Sequence, residues 1–154
     1  MIPLQRLSAL LALLALASAL GGCATRQDVM LAKAPTARIA TVAQAPDEGN
    51  SPEMDGHLSA ALLNQGLQIK AALAAGTRQS PQVDAVVSYV DVWRWDVVMY
   101  LQSLSVRVFD ARTGDLLASG QWRDSALHGY RDARQVMDQL VAETWSRLRP
   151  AQGR

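Results

Sequence analysis

Residues 83–122 read VDAVVSYVDVWRWDVVMYLQSLSVRVFDARTGDLLASGQW, and this stretch decides the fold. Residues 83–95 and 97–110 are dense in Val, Tyr, Trp and Phe, the side chains that fit a pleated, half-buried surface, and both alternate with a period of two. In the first, Val83, Ala85, Val87, Tyr89, Asp91, Trp93 and Trp95 share a face. In the second, Val98, Tyr100, Leu104, Val106 and Val108 share a parity, while Ser103, Ser105 and Arg107 are polar. The pair predicts a hairpin turning near residues 94–97, although no Gly or Asn marks the turn. Asp110 to Asp115, with Gly114 able to take a positive φ, predicts a second tight turn, after which Leu116, Ala118, Gly120 and Trp122 alternate. An antiparallel meander follows from these features.

Helices are expected on both sides of it. Ser51-Pro52-Glu53 offers an N-cap hydroxyl, a proline at the first helical position and an acid in the first turn. Met54, Leu58, Ala61 and Leu62 then fall on one face, and Gly66 stands where a left-handed cap would end the helix. At the other end, residues 131–148 place Ala133, Met137, Leu140, Val141, Thr144 and Leu148 along one stripe, with Asp132, Gln135, Asp138, Gln139, Glu143 and Arg147 outside it. Residues 36–42 (TARIATV) suggest a first strand, and the alternation of Leu67, Ile69, Ala71 and Leu73 another. The expected fold class is α+β: an antiparallel sheet of about five strands with two helices on one face, in the order β-α-β-β-β-β-α.

The amino terminus carries a different signal. Residues 1–6 hold one charged side chain, Arg6, and residues 7–20 (LSALLALLALASAL) hold none. Fourteen helical residues span about 21 Å, short of the roughly 30 Å hydrocarbon core of a bilayer, so the run predicts a processed signal peptide rather than a permanent span. It ends in Leu20-Gly21-Gly22-Cys23: an aliphatic residue, two small residues, then a thiol, the side chain best suited to take up a diacylglycerol group as a thioether. An ordinary signal peptide cut after Ala17-Ser18-Ala19, leaving Cys23 a free thiol, is the alternative.

These four positions resemble the lipobox of bacterial lipoproteins, and with residues 90–120 they resemble small, mostly uncharacterised proteobacterial outer-membrane lipoproteins. More remotely, the architecture is similar to the periplasmic α/β modules of curli-secretion and penicillin-binding-protein-activator lipoproteins. The resemblance implies acylation of Cys23, and Ala24 in place of Asp after it implies the outer membrane, periplasmic face first. The division expected is residues 1–22 as signal peptide, 23–35 as acylated terminus and tether, 36–149 as one periplasmic domain and 150–154 as tail.

Charge narrows the partners. The chain has 15 Lys+Arg and 14 Asp+Glu, a formal charge of +1, and loses Arg6 with the signal peptide, so the mature chain is neutral. It lacks the basic footprint that nucleic acid requires. One Cys and two His, His57 and His128, with no helical His pair, give no expected metal or cofactor site. Ser125, His128 and Asp132 lie in one segment that cannot easily converge as a triad, and no G-x-S-x-G elbow is present, so no catalytic residue is expected. The candidate binding surface is Tyr89, Asp91, Trp93 and Trp95, with Tyr100 and Trp122 nearby: a stacking platform for a glycan such as peptidoglycan if the face is open, core if a helix covers it. If covered, Asp91 needs a partner such as Arg94 or Arg123. Asp96 reads as a turn residue. The expected role is a non-enzymatic envelope accessory on a lipid tether, with a peptidoglycan-binding module and a subunit of an envelope or secretion assembly as the alternatives.

Overall fold

The computed structural model describes residues 25–125 and 129–149. Cys23, the signal sequence, His128 and the tail 150–154 lie outside them. The elements run β1 (Arg26–Leu31), β2 (Thr41–Gln44), α1 (Pro52–Asn64), β3 (Gln68–Ile69), β4 (Ala85–Trp95), β5 (Met99–Asp110), β6 (Leu116–Arg123) and α2 (Ala133–Leu148). Six strands form one sheet in the order β1-β6-β5-β4-β2-β3. The class is α+β as expected, and the central meander β4-β5-β6 is antiparallel.

Three features of the sheet correct the sequence reading. There are six strands, because residues 26–31, assigned to the tether, pair antiparallel with β6 from Arg26↔Arg123 to Leu31↔Ala118. Only Val29 of that strand packs against the core, so an edge strand with a single inward apolar residue left no hydrophobic alternation to read. The sheet is mixed rather than antiparallel: β2 runs parallel to both β3 and β4, with α1 as the crossover between β2 and β3. The strand expected through Leu73 stops at Ile69.

Local signals account for the helix ends. Pro52 occupies the start of α1, and Gly66, at φ +78°, donates its N–H to Leu63 O at 2.8 Å beyond the helix. Ser51 holds the N-cap position in extended backbone, but its hydroxyl makes no capping bond; its backbone N–H is instead donated to the Asp91 carboxylate. The cap of α2 is Asp132, whose carboxylate accepts from Gln135 N at 2.8 Å, so this helix starts two residues later than its periodicity suggests.

Both helices lie on one face of the sheet. Met54, Leu58 and Leu62 of α1 and Val136, Met137, Leu140, Val141, Trp145 and Leu148 of α2 close over Val87, Tyr89, Leu104, Val106, Val108 and Trp122. Gly120 lets α2 approach: a Cβ there would sit 2.6 Å from Thr144 Oγ1 and 3.0 Å from Leu140 Cδ1. On the opposite face a smaller cluster forms at one end only, where Leu73 and Val83 pack on Ala45, Val86, Phe109 and Ala111, and the Arg78 guanidinium lies 5.1 Å from the Phe109 ring centroid. Among the described residues no helix covers the rest of that face.

Candidate interaction surfaces

The four residues of the expected aromatic platform have different fates, and strand length explains why. Tyr89 is fully buried, in the middle of β4 under the helices. Its hydroxyl donates to Asp55 Oδ1 at 2.7 Å, and burial first, then that bond and the neighbouring Asp55 and Asp91 charges, push its proton far above the ordinary phenol range. Asp91 is buried too, and neither Arg94 nor Arg123 is its partner. It accepts from Ser51 N and from the Trp93 indole Nε1, while Asn50 Nδ2 donates to Tyr89 O at 2.8 Å. The group joins the entry to α1 to the edge of β4 beyond the last residue of β2.

Trp93 is half-buried against the core, at a register shift. Val92 pairs with Ser103 but Trp93 pairs with Leu101, so Gln102 is an extra residue in β5. That bulge brings Leu101 and Leu104, three apart, onto the same core. Trp95 keeps the parity of Trp93 yet is 71 % exposed. Helices of 13 and 16 residues reach about 20 and 24 Å, whereas an 11-residue strand reaches about 36 Å, so the hairpin outruns its cover. A continuous stacking face is therefore not assembled: Tyr89 and Asp91 are structural, and Trp95 stands apart from them.

What the hairpin end presents instead is a tip. Trp95 pairs with Met99 across the turn Asp96–Val97–Val98, and Val97 at 77 %, Met99 at 54 % and Val98 at 48 % are exposed with Trp95. Asp96 closes the turn, donating its N–H to Val98 O, and its carboxylate accepts from Tyr130 Oη at 3.4 Å; the Tyr130 ring meets Tyr100 edge-on at 5.9 Å. The sequence reading turns the chain near residues 94–97 and starts the second strand at Val97, two residues before it begins at Met99. Consecutive apolar residues at a turn, with no Gly or Asn, are the signal available.

The helix-free sheet face is polar where the small cluster ends. Arg26, Asp28, Ser103, Ser105, Gln121 and Arg123 line a shallow depression of about 390 Å³ together with Val90 and Val92. Arg107 crosses the same face to Asp47 at 3.0 Å.

A cavity of about 880 Å³ lies at the opposite end of the sheet, lined by Arg38, Ile39, Ser80, Asp84, Asp110 and Arg112 among others. Its carboxylates are already engaged. Asp84 accepts from Ala40 N, Thr41 N and Thr41 Oγ1 at 2.7–2.9 Å, and although desolvation opposes it, these donors hold its carboxyl below the ordinary value. Asp110 Oδ1 accepts from Arg112 N and Thr113 N in the β5–β6 turn. Among the described residues no group of three His, Cys, Asp or Glu is placed to hold a metal ion, and no helix is long and apolar enough to cross a membrane. Of the Ser125, His128 and Asp132 segment, Asp132 is the α2 cap and Ser125 donates its N–H to Asp124; His128 lies outside the described residues.

No family model and no curated protein matches the chain. Among solved structures it is similar to a PelC dodecamer from Paraburkholderia phytofirmans, at 18 % identity over 82 % of this chain and 97 % of that one, with a TM-score of 0.51. A PelC dodecamer of the same organism in another crystal form matches at 19 % identity over 86 % and 99 % of the chains, with a TM-score of 0.49. A PDZ-domain protein from Parabacteroides distasonis matches at 12 % identity over 81 % and 36 %, with a TM-score of 0.45. At these identities the likeness to the first PelC chain is one of fold: a mixed sheet with two helices on one side.

Proposed function

We propose that this chain is a lipid-anchored protein of the bacterial envelope, a non-enzymatic accessory whose small α+β domain is held at the periplasmic face of the outer membrane and contacts another envelope component. One observation carries the reading: an uncharged run of signal-peptide length that ends in Leu20-Gly21-Gly22-Cys23. Two or three acyl chains, at about 0.8 kcal/mol per buried CH₂, hold such a domain effectively permanently, whereas one would not. The helix-free sheet face, with Arg26, Ser103, Ser105, Gln121 and Arg123 presented together, supports the contact. Polar side chains on a shallow surface suit protein recognition better than enclosure of a small substrate.

A second reading, a subunit of a symmetric envelope assembly, is favoured by the likeness to a chain that forms a dodecamer. The glycan-platform reading loses its support, because its central residues Tyr89 and Asp91 are buried.

Growth of a bacterial host with an alkynyl palmitate, followed by capture from membranes, tests the anchor. The native chain is expected to carry the label and to fractionate with membranes in its processed form, and Cys23→Ser to lose the label. A Cys23→Ser chain that is still labelled, or still processed and membrane-held, overturns the assignment. Sedimentation of the domain across a concentration series then separates the two readings: a single monomer species favours the accessory, a defined higher oligomer the assembly.

A further inference from the structure

The tip of the β4–β5 hairpin and the proposed anchor leave the sheet at the same end. β1 begins at Arg26, which pairs with Arg123; Arg123 pairs with Ser103, and Ser103 with Val92. From Ser103 the strand runs four residues back to Met99, about 13 Å along the sheet. From Arg26 the chain has three residues back to Cys23, a reach of about 10 Å at full extension. A lipid on Cys23 and the exposed side chains of Trp95, Val97, Val98 and Met99 can thus lie at one level, on the side of the sheet remote from the large cavity.

We infer that this hairpin tip is a second membrane contact, seated in the interfacial layer of the same leaflet that holds the acyl chains; the inference rests on the proposed acylation of Cys23. The chemistry is that of an interfacial wedge. An indole with three aliphatic neighbours partitions to the boundary between headgroups and acyl chains. Arg26 and Arg123 are exposed cross-strand partners, two like charges held side by side just behind the tip, and Arg94 is exposed on the hairpin itself. Asp28 beside them and Asp96 in the turn offset part of that charge, so the apolar side chains carry most of the contact. The depth is limited, because a turn with unpaired backbone groups cannot enter hydrocarbon and Asp96 stays tied to Tyr130. A bilayer suits this tip better than a protein does. Four side chains on a convex turn present far less than the roughly 800 Å² per partner of a stable protein interface, and a lipid surface demands no matching shape. The contact would leave the domain two supports rather than one swivel, and so fix which face of the sheet looks away from the membrane.

The test uses the acylated chain in vesicles of phosphatidylethanolamine and phosphatidylglycerol, with bromine on the acyl chains as a short-range fluorescence quencher. Trp122 and Trp145 are buried and Trp93 half-buried, so the quenched emission is expected to come from Trp95 and to be lost in Trp95→Phe. In Val97→Ser with Met99→Ser, which keeps the reporter, the quenching should fall while the unfolding midpoint stays at the native value. Acyl chain present on Cys23 by mass spectrometry with no quenching of Trp95, or quenching that survives Trp95→Phe, overturns the inference and leaves the anchor standing. Shielding of Trp95 that grows with protein concentration without lipid also overturns it, in favour of a second copy. No lipid on Cys23 in the same sample overturns both.

Discussion

Gly120 shows how much a single missing side chain can position. It lies in β6 directly under α2, where Thr144, fully buried, donates its hydroxyl to Leu140 O at 2.7 Å. A methyl at 120 would collide with that hydroxyl, so either α2 lifts or Thr144 leaves its bond. Gly120→Ala should cost about 1–3 kcal/mol, the usual penalty for overpacking a well-filled core, read from a lowered urea midpoint. Asp84 makes a different claim, about pH. Its carboxyl is held below its ordinary value of 3.8, so its contribution is present above that value and is lost as pH falls through the lower, folded-state one. The group is solvent-exposed and screened, so Asp84→Asn should cost about 1 kcal/mol or less near neutral pH. The difference from native should close once the pH has fallen through that lower, folded-state value. A gap that persists in acid would mean the side chain acts by shape and not by charge.

At the scale of elements, the two helices are secured in unlike ways. The N-cap of α2 is local: Asp132 bonds Gln135 N, and Asp132→Ala should destabilise by about 1 kcal/mol with the helix otherwise intact, measured by thermal unfolding followed in the far ultraviolet. The start of α1 is held from outside, by Asp91 and Tyr89 of β4. Helix signals were legible because they are local: Pro52, Gly66 and the 137–140–141–144–148 stripe all announce themselves within a turn or two. Trp145, fully buried in the helix–sheet core, belongs to the same stripe, four residues after Val141 and three before Leu148, and its spacing was there to be read. The hairpins were legible for the same reason, the second through Gly114 at φ +76° and its N–H to Asp110 O at 2.7 Å. The bulge at Gln102 was not, since an extra residue has no composition of its own.

The whole molecule is closed by its first described strand. β1 covers the outer edge of β6, with Val29 against the core, and the backbone of residues 32 and 33 continues the pairing by donating to Leu117 O at 2.8 and 3.1 Å. Removing residues 24–33 should cost at least about 1 kcal/mol, the share of a buried Val that Val29 supplies. It should also make β6 a bare edge that self-associates, visible as a concentration-dependent sedimentation coefficient. An unchanged midpoint would show that residues 26–31 behave as the tether their composition suggests.

What the sequence determined by itself is therefore what short-range physics writes into it: the meander of residues 83–122 and the two helices, with Pro52 and Gly66 at the ends of the first. Tertiary structure decided the rest. It placed β1 on the far edge and β2 parallel to β4, pairings between residues tens to nearly a hundred positions apart that leave no local pattern. It also divided the aromatic strand, burying Tyr89 and exposing Trp95, because the hairpin is longer than the helices that pack on it, and relative length is a property of the assembled layers and of no one segment.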